Sequence, residues 1–200
     1  TRVVPYPAYY RDLFKREHIN PENLMQLEDL QHIPMIGKED LLPTEANAQR
    51  ARDFVLVPDE AQLRRDPRVI FDGLLHGRGA ARDALSREFR PIFLTSTTGR
   101  SAEPVPFVYT QHDIDNLCSA GKRLVTVLGA TREFRILTMF PYAPHLAFWQ
   151  THYACMTFGA FNVCTGGGKV MGTEGNIRLI ERTRPNAIIG MPTFIYHVLS

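Results

Sequence analysis

Apolar residues recur along this chain with two different periods, and the periods divide it. After the capping-type run Thr110-Gln111-His112-Asp113, the apolar or small residues Ile114, Leu117, Cys118, Gly121, Leu124, Val125 and Leu128 follow at helical spacing. That stripe predicts an amphipathic helix. Three short apolar runs then alternate with helical stretches. Arg135-Ile136-Leu137-Thr138-Met139-Phe140 reads as a strand, 147–158 as a helix closed by Gly159, and Phe161-Asn162-Val163-Cys164-Thr165 as a second strand. A turn at Gly166-Gly167-Gly168 leads to a helix over 173–184, stopped by Pro185. Asn186-Ala187-Ile188-Ile189-Gly190 is a third strand, and Pro192 opens another helix. Strands separated by helices at this spacing predict β-α-β units with a parallel sheet.

The first third reads differently. Residues 7–15 carry Tyr10, Leu13 and Phe14 behind a proline, as a short helix would. Asn20 and Pro21 predict a cap and a helix start, with Leu24, Leu27, Leu30 and Ile33 as its apolar stripe and Pro34 as its stop. A short piece is expected at 38–42, and Arg-rich solvated helices over 44–52 and 59–88. Next come two strand candidates, 90–95 and 105–109, joined by a polar loop as a hairpin with an enlarged tip. The domain reading is therefore a helical N-terminal region, 1–88, and a partial α/β core, 89–200, that begins with this hairpin.

Charge sharpens the picture. From 136 to 168 there is no Lys, Arg, Asp or Glu. Pro141, Pro144, His145, Gln150 and His152 interrupt that stretch, so it does not read as a membrane helix. It reads as the buried centre of a sheet covered on both faces. With 44% hydrophobic and 22% charged residues the chain is globular in composition. A net charge of +2 gives no reason to expect nucleic acid, and the arginines between 50 and 90 alternate with acids. Three widely spaced cysteines predict neither a disulfide framework nor a metal knuckle. With no signal-peptide pattern at the start, a cytoplasmic location is expected. The chain starts without Met and ends inside an apolar run, which reads as a piece of something longer.

Chemistry concentrates in Thr95-Ser96-Thr97-Thr98-Gly99-Arg100-Ser101. Hydroxyls and exposed N–H groups donate to phosphate oxygens, Gly99 lets the backbone come close, and Arg100 adds a forked, permanent charge. The same composition also suits a plain hairpin tip. Gly166-Gly167-Gly168-Lys169 has the look of a nucleotide-binding P-loop. Val163 and Val170 occupy the positions where that motif needs Gly and Ser or Thr, so it reads as a tight turn. His152, mid-helix in apolar company, reads as core packing. Phe148, Trp149, Tyr153 and Phe158 fit either an aryl pocket or simple core.

Thr97-Thr98-Gly99-Arg100 resembles the centre of the phosphate loop of the acyl-adenylate-forming superfamily. The flanks are similar to its phenylacetate–coenzyme A ligase-like branch: Tyr9-Tyr10-Arg11-Asp12-Leu13-Phe14, Ile19-Asn20-Pro21-Glu22, Leu27-Glu28-Asp29-Leu30, Ile33-Pro34, Lys38-Glu39-Asp40-Leu41, then Tyr109-Thr110 with Asp113-Ile114, Gly166-Gly167-Gly168, Arg178-Leu179-Ile180-Glu181 and Gly190-Met191-Pro192-Thr193. The resemblance implies an α/β fold with a helical N-terminal cap on a mostly parallel sheet, part of the large N-terminal domain of such an enzyme. It implies an ATP-dependent, AMP-forming ligase that activates a carboxylic acid, aryl or related, and passes it to coenzyme A, with Mg²⁺ as the partner of ATP. Ser96, Thr97, Thr98, Gly99 and Arg100 would hold the β- and γ-phosphates. His145, Phe148, Gly190, Pro192 and Thr193 would border the acid. No metal ligand is assigned, and the catalytic residues are expected beyond residue 200, so this stretch alone should be inactive. The expected partner is a small carboxylic acid, with no nucleic acid and no membrane span; a homodimer stays open.

The chain also departs from the family pattern. Ser96 stands where the family usually has Gly, Arg100 where it usually has Lys, and the stretch from 100 to 109 is longer. Two alternatives follow: a synthetase of the same branch that adenylates a cofactor, and a degenerate non-catalytic homologue acting as a binding or scaffold protein, which Ser96 favours.

Overall fold

The computed structural model describes residues 7–56, 58, 63, 66–97 and 104–200. They fall into two compact units, one of residues 1–92 with 99–110, the other of 93–98 with 111–200.

In the first unit, α1 (Ala8–Arg16) buries Leu13 and Phe14 on one face. Tyr9 stacks on Phe54 with ring centres 3.9 Å apart, and Tyr10 meets both Phe54 and Phe14 edge-on. The expected helix over 20–33 is not formed. Two 3₁₀ turns, Pro21–Asn23 and Leu27–His32, take its place. The cause is local capping. The Asn20 side chain accepts from the Glu22 N–H, and Asp29 Oδ2 accepts from the N–H groups of both Met25 and Gln26 at 2.8 Å. Those bonds hold Gln26 extended, which splits the helix. They also hold the Asp29 carboxyl below its usual range.

The expected helix over 44–52 is likewise corrected. Thr44 and Asn47 exchange backbone hydrogen bonds in a tight turn, and a 3₁₀ helix, Arg50–Phe54, follows. The short piece at 38–42 forms as a 3₁₀ turn, Lys38–Leu41. The solvated helix is present as α2 (Pro67–Phe89), interrupted at Gly77, where φ is 85°. Where the prediction reaches 59–62, 64 and 65, it lies outside the described residues. Both strand candidates form, β2 (Pro106–Tyr109) in this unit and β1 (Phe93–Ser96) in the other, and within this unit the Ile92 N–H donates to the Tyr109 carbonyl at 2.9 Å.

The second unit is built on a parallel sheet of β3 (Arg135–Thr138), β4 (Phe161–Cys164) and β5 (Ala187–Ile189), ordered β4-β3-β5. Ile136 stands beside Asn162 and Ala187, and Thr138 beside Cys164 and Ile189. The helices are α3 (Gln111–Val127), α4 (Leu146–Phe158), α5 (Gly168–Thr183) and α6 (Pro192–Leu199). The chain leaves β3 for a neighbour on one side and then crosses to the other. Right-handed crossovers in opposite directions put their helices on opposite faces. Packing agrees: Ile136 meets Cys155 of α4, while Leu137 and Met139 meet Ile177 and Ile180 of α5 and Phe194 and Val198 of α6. The charge-free stretch is thus the central strand and its cover, with Leu137 and Met139 at most 1% exposed.

A further layer, α3, lies on α4. Gly121 allows this: a Cβ there would sit 2.7 Å from the Ala154 Cβ. The predicted start of α5 shifts. A first turn runs from Gly168, Gly172 breaks it at φ 66°, and the helix resumes at Thr173, where the sequence placed its beginning.

Candidate functional site

In an open α/β sheet, ligands bind past the carboxyl ends of the strands, where neighbouring exit loops diverge to opposite faces. Here that place is the carboxyl end of the central strand β3, whose exit turns to one face while those of its neighbours β4 and β5 turn to the other. The chain leaving β3 turns to α4, and the chain leaving β4 turns to α5. Three of the sequence-predicted site residues, Ser96, His145 and Phe148, are tied to these exit loops.

β1 ends in the same region. The Ser96 N–H donates to the Pro144 carbonyl at 2.6 Å, and His145 Nδ1 lies 3.3 Å from the Ser96 carbonyl. A carbonyl only accepts, so Nδ1 carries the proton. Ser96 and His145, 49 residues apart, are thereby fixed against each other. Ser96 is the last residue of β1 and half-buried. It is not among the positive-φ positions, so a side chain fits its backbone. Thr97 is half-buried just beyond it. Thr98, Gly99 and Arg100 lie outside the described residues.

The exit loops of β3 and β4 are tied by a residue the sequence reading passed over. Tyr142 O–H donates to the Cys164 carbonyl at 2.6 Å. Burial pushes its phenol up, which keeps the proton for that bond. Beneath the ring is Gly166, where a Cβ would come within 2.6 Å of a ring carbon. Gly167 has φ 72° and ψ −162°, a region open essentially to glycine, and a Cβ there would lie 3.0 Å from the Met139 carbonyl. Thr165, 1% exposed, accepts the Gly167 N–H on Oγ1. Asn176 is fully buried and donates to the carbonyl of Gly172 at 2.6 Å, while its Oδ1 meets no partner. The glycine triplet is therefore the tight turn that the sequence predicts.

Phe148 is buried against Tyr142 edge-on, with ring centres 5.0 Å apart, and is stacked on His152. Trp149 lies edge-on to Phe93 of β1. Gly190 closes the β5 side, with room only for hydrogen beside the Met139 Cβ, 2.9 Å from an ideal Cβ. Pro192 and Thr193 begin α6 and are exposed. The structure thus joins Ser96 directly to His145, and Phe148 to the β4 exit through Tyr142. No hydrogen bond among the described residues joins Pro192 or Thr193 to the others. Among the described residues, no three His, Cys, Asp or Glu side chains gather as a metal site. The three cysteines are free, and no described helix is long and apolar enough to cross a membrane.

The α4 face of the sheet holds a second group that the sequence did not flag. Thr138 Oγ1 donates to Asn162 Oδ1 at 2.8 Å, Asn162 Nδ2 donates to Cys164 Sγ at 3.3 Å, and Cys164 Sγ lies 4.0 Å from His152 Nδ1. The signal was the strand alternation, which sends 138, 162 and 164 to one face as polar or thiol groups among apolar neighbours.

No family model matches the chain. It is similar over 190 residues, at 22% identity, to a phenylacetate-coenzyme A ligase of Escherichia coli (strain K12), a match covering 95% of the chain and 35% of that protein. A phenylacetate-coenzyme A ligase of Pseudomonas putida is likewise 22% identical over 189 residues, covering 94% and 35%. Among solved structures, 2-hydroxyisobutyryl-CoA ligase in complex with 2-HIB-AMP and CoA superposes with a TM-score of 0.74 at 17% identity, over 98% of this chain and 35% of that one. The fold is that of the N-terminal domain of adenylate-forming ligases. The curated proteins it matches, along nearly its whole length, are phenylacetate-coenzyme A ligases. It spans about a third of the length of the curated relatives it matches.

Proposed function

We propose that the chain is part of an ATP-dependent, AMP-forming ligase that activates an aryl or related carboxylic acid as its acyl-adenylate and transfers it to coenzyme A. The observation carrying this reading is the hydrogen-bonded junction of Ser96 with Pro144 and His145. It ties the start of the Ser96-Thr97-Thr98-Gly99-Arg100 segment to the loop that follows β3.

In this reading the hydroxyls of Ser96, Thr97 and Thr98, the backbone N–H groups that follow Ser96, and Arg100 hold the β- and γ-phosphates. They offset the charge that develops on the departing pyrophosphate, which is electrostatic stabilisation by fixed donors. Mg²⁺ would arrive with the phosphates, as it commonly does while keeping part of its water shell. His145, held through Nδ1, has Nε2 left to face the acid or the phosphate. Phe148, Gly190, Pro192 and Thr193 border the acid, and the protein works in the cytoplasm.

The test is ATP–pyrophosphate exchange by the full-length protein over a panel of aryl, fatty and short hydroxy acids. Exchange that depends on an acid supports the reading. No exchange with any acid, and no ATP binding by calorimetry, favours the non-catalytic homologue instead.

A further inference from the structure

The polar group on the α4 face lies at the level where the β3 and β4 exits diverge, directly beneath the aromatic side chains. Its hydrogen bonds run one way. Thr138 gives its proton to Asn162, and Asn162 gives an amide proton to Cys164. Thr138 is fully buried and Asn162 and Cys164 are half-buried, so the bond from Thr138 is the better shielded from water. Burial pushes the Cys164 thiol up, so it stays protonated and is a donor in its turn. Its near neighbour is His152 Nδ1, at 4.0 Å. A neutral imidazole that accepts on Nδ1 carries its proton on Nε2. That Nε2–H is given no partner by the described residues. It belongs to a half-buried ring packed face-on to Phe148 and edge-on to Trp149 and Tyr153. A half-buried donor without a partner, set among aromatic rings, suits a flat ligand that brings one acceptor.

We propose that His152, oriented by the Thr138–Asn162–Cys164 chain, is a specificity-determining residue for the acid, selecting a ring substituent that accepts a hydrogen bond, such as a hydroxyl or methoxy oxygen. This rests on the adenylating reading above and names the acid class of that same site. Phe148, already buried, backs the His152 ring, and the half-buried Trp149 supplies the apolar wall that takes the ligand's ring. His152 takes the substituent. A methyl group of the same size would leave the donor unpaired and desolvated, and sites built to hydrogen-bond a substrate reject such analogues strongly.

The experiment is ATP–pyrophosphate exchange by the full-length protein with phenylacetate and with its ortho, meta and para hydroxy, methoxy and methyl derivatives. The expected result is a kcat/KM at least about ten-fold higher for the hydroxy or methoxy acid than for the methyl acid at one ring position. His152→Leu should bring that ratio close to one, and His152→Gln, which keeps a donor, should restore part of it. Rates for the methyl acids equal to those of both the hydroxy and the methoxy acids at every ring position overturn the proposal, as does a ratio that His152→Leu leaves unchanged. If His152→Leu fails to fold, Cys164→Val and Asn162→Leu, which cut the chain one step earlier, should lower the same ratio. Exchange with many acids but no acceptor preference defeats this inference alone; no exchange with any acid defeats the adenylating reading and this inference with it.

Discussion

Ser96 and His145 are held together by the backbone of one and the ring of the other. The Ser96 carbonyl accepts from His145 Nδ1 at 3.3 Å, while the Ser96 N–H is engaged 2.6 Å away by the Pro144 carbonyl. The end of β1 is therefore positioned by the loop that leads into α4. His145→Ala should lower stability by about 1 kcal/mol, the net value of an ordinary hydrogen bond, and raise the KM for ATP in pyrophosphate exchange. His145→Asn, which can still donate, should recover part of both. Thermal melts and exchange kinetics on the three proteins check this. Unchanged ATP and acid kinetics in His145→Ala would break the link between the junction and the nucleotide.

Gly121 tests the contact between α3 and α4. An added Cβ would meet the Ala154 Cβ at 2.7 Å and its Cα at 2.8 Å, and neither can rotate away. Gly121→Ala should cost about 1–3 kcal/mol by overpacking, despite alanine's better helix propensity. For a chain of this size that is about 2–4 °C in Tm per kcal/mol. A melt at or above wild type would show that the helices separate easily.

Two glycines with positive φ make a contrast. Gly167 has ψ −162° and the Met139 carbonyl 3.0 Å from an ideal Cβ, whereas Gly159, at φ 83° and ψ 26°, closes α4 with open space around it. Gly167→Ala should lose about 1–3 kcal/mol in urea unfolding. Gly159→Asn should lose much less, since asparagine tolerates the left-handed region.

Cys155 gives a pH test. It is fully buried against Ile136, and burial pushes its thiol up to about 11 from 9.0. The unfolded chain therefore ionises this thiol first as pH rises. The stability tied to the neutral thiol is whole below pH 9 and falls between 9 and about 11, by on the order of 2–3 kcal/mol at most. Urea titrations across that range should show the drop, and Cys155→Ala should reduce it. Alkylation at pH 8 should reach Cys155 only after unfolding.

Much of the second unit was legible in the sequence because its strands and helices are fixed by period. The apolar runs at 135–140, 161–165 and 186–190 became β3, β4 and β5, and Gly159 and Pro185 ended helices where expected. The first unit was less legible. Leucines at 24, 27 and 30 have helical spacing, yet Leu27 is 80% exposed, because Asp29 caps backward and stops the helix from forming. Spacing reports which face is apolar, but a side chain that competes for backbone N–H groups decides whether the face exists.

The site divides the same way. Ser96, His145 and Phe148 could be offered as candidates from order and residue type. The contacts of Tyr142, Asn162 and His152 could not be foreseen, because they depend on which residues the sheet register and α4 bring opposite them. Thr138 and Cys164 are 26 apart in number and adjacent in register.

The most direct test of the central claim is ATP–pyrophosphate exchange by the full-length protein, wild type and Arg100→Ala, in the presence of aryl acids. Acid-dependent exchange that Arg100→Ala reduces by about ten-fold or more is the expected result, in keeping with removal of one fixed charge from a transition-state clamp. Exchange that no acid stimulates, or that Arg100→Ala leaves untouched, would contradict an adenylating site built on this loop.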